Sequence, residues 1–427
     1  MTLEFLQTAY YPSNDLVVTN DHTVMLVRDT DLSHLYLYSY NTFSGAYDCG
    51  VDFDYGANIV YDFHHRGDGD IIYVATTDDS GKVTAARIDL ANNCNVDWIF
   101  ANRTATFNPT EIGDIAIDSS RVEVWLSSTS GTLRFLDIQY NKNTGSINRG
   151  VVINTGSSAY PEGVVIDSAT GNAYASGRSN AFAIMVQING TSPGATMAVK
   201  RLAKQDQTAA GNYDPPIFVC NGGTAVCAFM DYGSYSRFFI VNMTPFNQTR
   251  EYLTIDNVEI MGIRVDSADD NYAYLYGMDG NNNEGALMVI NANTGAISLD
   301  DTFSAMIDIE GVATSGNFGS GNLISVIGGD SNNLVTVQQY DMNLATVKGF
   351  NLTYTGFEWG VDVEPTSDAT QFVGYATQFT VDQDSIAFLF GPNQSPTPGA
   401  APEFSSVTLL LAGLVGVVGI FVLRKRK

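Results

Sequence analysis

Carboxylates are the residues best placed for chemistry in this chain. Glu162 and Glu310 each precede a glycine and a short apolar run, and Glu111, Glu259 and Glu358 lie within a few residues of the same place in their own runs. If such runs line a common axis, several carboxylates meet at one mouth. Like charges held close favour a bound hard cation or raised pKa values. Glu162 and Glu310 are therefore the candidate metal ligands, with calcium as the candidate ion and no organic cofactor expected. A second acidic loop, Asp279-Gly-Asn281-Asn-Asn283-Glu284-Gly285, opens like a calcium-binding loop. Its sixth position is Glu284 instead of glycine and its twelfth is Ile290 instead of glutamate, so a polar turn is the better reading.

Nucleophilic catalysis finds less support. Gly190-Thr-Ser192-Pro-Gly194 has the spacing of a nucleophile elbow, which needs a following helix and a downstream histidine. No helical pattern follows, and all four histidines (22, 34, 64 and 65) come earlier. Pro193 also lacks the N–H that an oxyanion hole requires. His64 and His65 are adjacent, so on a strand they point to opposite faces and cannot share one metal. Arg66-Gly67-Asp68 could be an adhesion tripeptide, but it also fits an ordinary turn. No catalytic residue is assigned.

The 427 residues carry 46 Asp+Glu against 21 Lys+Arg, a net charge of −25. Such a surface repels nucleic acid and anionic lipid. No Cys-x-x-Cys zinc pattern occurs among the 4 cysteines. Cys220 and Cys227 flank a hairpin-like turn and could pair; Cys49 and Cys94 could bridge neighbouring outer strands. Buried free thiols are the alternative for both. Sequons at Asn102, Asn189, Asn242, Asn247 and Asn351 could be glycosylated if the chain is exported.

The elements that position these groups are strands. Helical periodicity is almost absent; Val, Ile, Tyr, Phe and Leu alternate in short runs separated by Asp, Asn, Gly and Ser turns. The runs recur roughly every 50 residues. The first run of each unit reads Leu16-Val-Val-Thr-Asn20, Ile59-Val-Tyr-Asp62, Ile115-Ala-Ile-Asp118 and Val164-Val-Ile-Asp167. The series continues with Ile217-Phe-Val-Cys-Asn221, Gly262-Ile-Arg-Val-Asp266, Gly311-Val-Ala-Thr314 and Val361-Asp-Val-Glu364. Four antiparallel strands per unit is the pattern of a β-propeller blade. The segments 160–174 and 287–295 resemble NHL, YWTD and quinoprotein-like propeller repeats. That resemblance implies an all-β ring, expected here as eight four-stranded blades, with seven as the alternative. The last unit lacks a fourth strand and residues 3–10 offer a spare one, so the N-terminal strand is expected to close the ring. Quinoprotein dehydrogenases carry a recurring tryptophan docking motif. Trp98, Trp125 and Trp359 stand at unrelated positions, so no such cofactor is expected. Sialidase-type Asp boxes are absent.

The C-terminus differs in kind. Pro402, Glu403 and Phe404 precede an apolar run at 407–423, and the chain closes on Arg424, Lys425, Arg426 and Lys427. As a helix, 405–423 would span about 28 Å, the thickness of a bilayer core. The basic end would stay cytoplasmic and all before it would face outside. The three-part ending resembles the PEF-CTERM sorting signals of archaeal surface proteins, related to PEP-CTERM. The resemblance implies processing by a membrane transpeptidase-like enzyme; a plain membrane anchor is the alternative. The first residues lack a basic region and an apolar core of a signal peptide, so a leader is expected upstream of this sequence; late insertion directed by the anchor itself is the alternative. The expected domains are a β-propeller ectodomain at 1–391, a Pro/Gly-rich linker with the sorting motif at 392–404, and a transmembrane helix with basic tail at 405–427. The expected function is a surface-anchored binding, adhesion or surface-layer-associated protein, with glycans or surface proteins as partners. The alternative is an extracellular hydrolase or lyase using carboxylates at the channel mouth.

Overall fold

The computed structural model describes residues 4–390 with breaks, the longest at 205–216, and nothing from 391 onward. The described residues are all-β. Their strands form eight sheets in chain order, seven of four strands and one of five. The first strands of sheets one to four include Val17–Thr19, Val60–Asp68, Pro109–Ile117 and Tyr160–Ile166. Those of sheets five to eight are Ile217–Cys220, Val258–Asp266, Gly311–Thr314 and Phe357–Pro365. Each later strand of a sheet pairs antiparallel with the one before it. Two strands depart from this: in sheet one Tyr11–Pro12 pairs with His22–Arg28 beside Val17–Thr19, and sheet eight is closed by Glu4–Thr8, which pairs with Asp384–Phe390, Glu4 opposite Phe388 and Thr8 opposite Asp384.

Burial explains why these runs become strands. The second strand of sheet two, Ile71–Asp78, is covered on both faces and reads as a continuous apolar and threonine run. In sheet one, His34–Asn41 buries Leu35, Leu37 and Ser39 on one face and leaves His34, Tyr36 and Tyr38 half-exposed on the other. The core is not a single mass. Eight apolar clusters lie between neighbouring sheets. One joins Val24, Leu26 and Leu37 of sheet one to Ile72, Val74 and Ile88 of sheet two. Another joins Leu16 and Met25 of sheet one to Val373, Tyr375 and Leu389 of sheet eight.

The first strands stand side by side. Val17–Thr19 touches Val60–Asp68 on one side and Phe357–Pro365 on the other. Each therefore has an inner position, and the later strands of its sheet lie progressively outward. The turns repeat as well. In the turns opening at Asn41, Asn141 and Asn291, the asparagine side chain accepts the N–H three residues on. Gly45, Gly145 and Gly295 then take φ near +70°, which residues with a Cβ avoid.

Candidate functional site at the inner strands

The inner strands are bulged, and an aspartate sits at the bulge in sheets two, three and eight. Asp62, Asp114 and Asp362 use one carboxylate oxygen for the N–H of the next residue, at 2.9, 2.7 and 2.8 Å. The other oxygen reaches the following sheet: Asp62 accepts from Ile112 N at 2.7 Å, Asp114 from Val164 N at 3.4 Å, and Asp362 from Leu16 N at 3.1 Å. A bulge leaves ladder N–H groups without a strand partner, and a carboxylate supplies the missing acceptors. These three acids thus join neighbouring sheets. The acid stands directly before Phe63, Ile115 and Val363, but the sequence alignment of the runs set Asp62 opposite Asp118, so this common position emerged only from the structure.

A charged contact spans sheets six and eight. Arg264 meets Glu364 with both ends of its guanidinium, at 2.5 and 2.5 Å. Arg264 lies deep among protein atoms although 29% of its side-chain surface stays open. Burial disfavours its charge, but the Glu364 carboxylate outweighs this and raises its pKa above the ordinary arginine value. Sequence reasoning did not single out Arg264, because its partner lies 100 residues away.

Asp308 and Glu310 form the third feature, on the crossover from sheet six to sheet seven. Asp308 Oδ1 accepts from Gly329 N at 3.0 Å. The negative Asp308 is near enough to act on the charge of Glu310. Burial, then the negative Asp308, pushes Glu310 up to about 8, and burial raises Asp308 as well. Both shifts favour the protonated form of the carboxyl. Such a pair can donate or accept a proton, the chemistry of general acid–base catalysis.

Glu162 is on sheet four, whereas Glu310 lies on the crossover just before the first strand of sheet seven. Glu162 is 3% exposed at the interface of sheets three and four, where a methyl group at Gly113 would sit 2.4 Å from its carbonyl oxygen. Glu111 accepts from Ser127 Oγ at 3.3 Å; the side chains of Glu259 and Glu358 lie outside the described residues. Among the described residues, no three His, Cys, Asp or Glu side chains converge to hold a metal. Both oxygens of Asp279 accept bonds from within its own turn, from Asn281 N and Asn282 Nδ2, each at 2.9 Å. Arg66-Gly67-Asp68 is the end of an inner strand, not a free turn. Arg66 pairs with Asp114 at 3.0 Å and Asp68 with Lys142 at 2.5 Å. Gly190 is described, whereas Ser192 of the nucleophile-like motif is not.

The four cysteines are paired in the structure. Cys49 and Cys94 join the outer parts of sheets one and two, with Cα atoms 5.6 Å apart; Cys220 and Cys227 are 5.9 Å apart. The second pair is diagonal across its hairpin, since Ala225 stands opposite Cys220 and Phe218 opposite Cys227. Asn242 and Asn247 face each other in one hairpin. Asn189 follows the third strand of sheet four, at Phe182–Ile188. Asn102 and Asn351 are on strands, and their side chains lie outside the described residues, as do those of Pro402, Glu403, Phe404 and the expected membrane helix.

Exposed aromatic and aliphatic groups mark the leading ends of two inner strands. Tyr61 is 54% exposed, Ile59 38% and Tyr160 37%. Two of the tryptophans serve packing: Trp125 is buried and donates to Ser176 O at 2.8 Å, and Trp98 stacks on Tyr140; the side chain of Trp359 lies outside the described residues.

No protein-family model matches the chain, and no curated protein matches it in sequence. Solved structures do. The Dos1 propeller aligns with a TM-score of 0.55 at 12% identity, over 91% of this chain and 95% of that one. A europium-containing methanol dehydrogenase aligns at 0.54 with 10% identity, over 90% and 93%. A quinohemoprotein alcohol dehydrogenase from Pseudomonas putida HK5 aligns at 0.55 with 9% identity, over 93% and 78%. At such identities the likeness establishes the fold alone: this chain is a β-propeller.

Proposed function

We propose that this is an eight-bladed propeller displayed outside the cell, acting as a binding or adhesion module for glycans or neighbouring surface proteins. The observation that carries the reading is the exposed set Tyr61, Ile59 and Tyr160 at the leading ends of the inner strands. Aromatic faces with amide and carboxylate neighbours suit sugar rings, which present both apolar faces and hydroxyl groups. Paired cysteines support an oxidising compartment. The apolar 407–423 run and basic end support anchoring, with Pro402, Glu403 and Phe404 as the sorting motif and 392–404 as the stalk. Binding of residues 1–391 to a glycan array and to surface-layer extracts tests the reading. Tyr61→Ala with Tyr160→Ala should weaken capture at least tenfold. A clean negative for the parent chain on both supports would overturn it.

A second reading, an extracellular hydrolase or lyase, is supported by the Glu310 carboxyl, which burial and the nearby Asp308 push up to about 8. Turnover of a polysaccharide by the parent chain, lost in Glu310→Gln, would establish that reading in place of simple binding.

A further inference from the structure

We propose that the junction of sheets one and two around Ile59 and Tyr61 is a docking surface for an extended basic segment of a partner protein. The inference rests on the reading of Tyr61 as a binding residue and adds the chemistry of the partner. In the first strand of sheet two the register slips between Val60, opposite Asp78, and Asp62, opposite Thr77. Tyr61 is therefore the extra residue of the bulge, and a bulge re-aims the side chain it carries. Val60 is buried between sheets one and two, while Ile59 and Tyr61 on either side of it are 38% and 54% exposed. The bulge of sheet three slips in the same way around Gly113, where a methyl group would collide with the Glu162 backbone. That bulge is packed against its neighbour; the one in sheet two turns an aromatic ring to the surface.

The backbone that presents these side chains is fixed. Val60 N donates to Leu32 O at 2.8 Å, and Asp79 N to Ile59 O at 2.9 Å. The Arg28 guanidinium donates to Val60 O and, at 3.2 Å, to Tyr61 O, and lies 5.9 Å from the centre of the Phe63 ring. A partner therefore meets a surface that is already ordered, which lowers the entropy cost of binding. Carboxylates border it. Asp52 and Asp54 share one face of the strand Tyr47–Asp54, with 52% and 65% of their side chains open, and Asp79 is exposed. Tyr55 N donates to Ser33 O at 2.9 Å, which ties the turn after Asp54 to the corner that receives Val60. Among the described residues, the cationic groups here are three. His34 sits 2.9 Å from Asp52, Arg28 is buried and engaged by backbone carbonyls, and Lys82 is half-buried. The charge presented outward is thus negative, as is that of the whole chain at −25. Asp52 and Asp54 repeat at two residues along a strand, about 6.5 Å, the spacing of alternate side chains in an extended peptide. Lysine and arginine bring apolar stems for Ile59 and charged heads for the carboxylates and the tyrosine face.

Fluorescence anisotropy of the whole chain with a labelled oligolysine tests it, with an oligoglutamate and a chitosan oligomer as further probes. Oligolysine should bind and oligoglutamate should not. Tyr61→Ala should weaken oligolysine binding about fivefold, and Asp54→Asn about threefold. Ile59→Ser should act in the same direction. Asp21→Asn removes the same charge from an exposed turn at the other end of the sheet-one strands. It should change binding by less than about twofold. All four side chains are exposed, so the variants keep the core intact. No binding of oligolysine by the parent chain overturns the proposal. So does an equal loss in Asp21→Asn and Asp54→Asn, which would mean attraction to the acidic surface at large. Binding of the chitosan oligomer in place of oligolysine overturns the basic peptide but leaves glycan recognition at Tyr61 standing, so the two readings fail separately.

Discussion

Asp362 shows how much one side chain does in this ring. Its two oxygens accept Val363 N and Leu16 N, so it satisfies a bulge and joins the last sheet to the first. An unpaired buried N–H costs about 1–3 kcal/mol. Asp362→Ala should therefore lower stability in urea by roughly 3 kcal/mol, and Asp62→Ala should act similarly between sheets two and three. Unchanged midpoints would show that water replaces the carboxylates without cost. Glu310 supplies the pH dependence. Its ordinary value of 4.5 is pushed up to about 8 in the fold. Between those values the folded chain keeps a proton that the unfolded chain has released. Stability from this group is thus complete below pH 4.5, declines as pH rises, and levels off above 8. The loss is on the order of 5 kcal/mol at about 1.4 kcal/mol per pH unit, and Glu310→Gln should flatten that part of the profile in chemical denaturation.

At the scale of elements, the two disulfides act on different lengths of chain. Cys49–Cys94 closes 45 residues and links two sheets, while Cys220–Cys227 closes 7 within one hairpin. Chain entropy assigns them roughly 4 and 2.5 kcal/mol. Replacing Cys49 and Cys94 by serine should thus lower the thermal midpoint more than replacing Cys220 and Cys227. The reverse order would mean that the hairpin bond also supports the packing of sheets five and six, where both its cysteines are buried. The hairpin turns themselves were legible in the sequence, since Asn-x-x-Ser/Thr-Gly dictates a side-chain cap followed by a left-handed glycine. The aspartate bulges were not, because the aligned runs set Asp62 opposite Asp118 and left Asp114 outside its run. What could not be read was the destination of their second oxygen, which belongs to the next sheet.

At the scale of the whole molecule, stability is distributed over eight interfaces, not gathered in one centre. Sheet eight is completed by Glu4–Thr8, so the first and last strands of the described chain hold each other. Two consequences can be measured. A chain ending at residue 391 should be soluble and show the same unfolding midpoint as one that includes the tail. A chain lacking residues 1–10 should unfold at lower denaturant, because sheet eight then loses a strand and gains an open edge. Aggregation of the first, or no change in the second, would contradict this account.

The sequence alone determined what is local or periodic: strands by alternation, turns by Asn and Gly, repeats by recurrence, and the pairing partner of the spare first strand by the gap in the last unit. Burial and backbone geometry act over a few residues, so a single stretch suffices to show them. Only the tertiary structure decided which charges meet. Arg264 and Glu364 are 100 residues apart, and of Glu162 and Glu310, similar in sequence, one is on a sheet-four strand and the other on the crossover into sheet seven. Electrostatic partnership depends on distance through space, and in a ring of sheets that distance is set by the order of the blades.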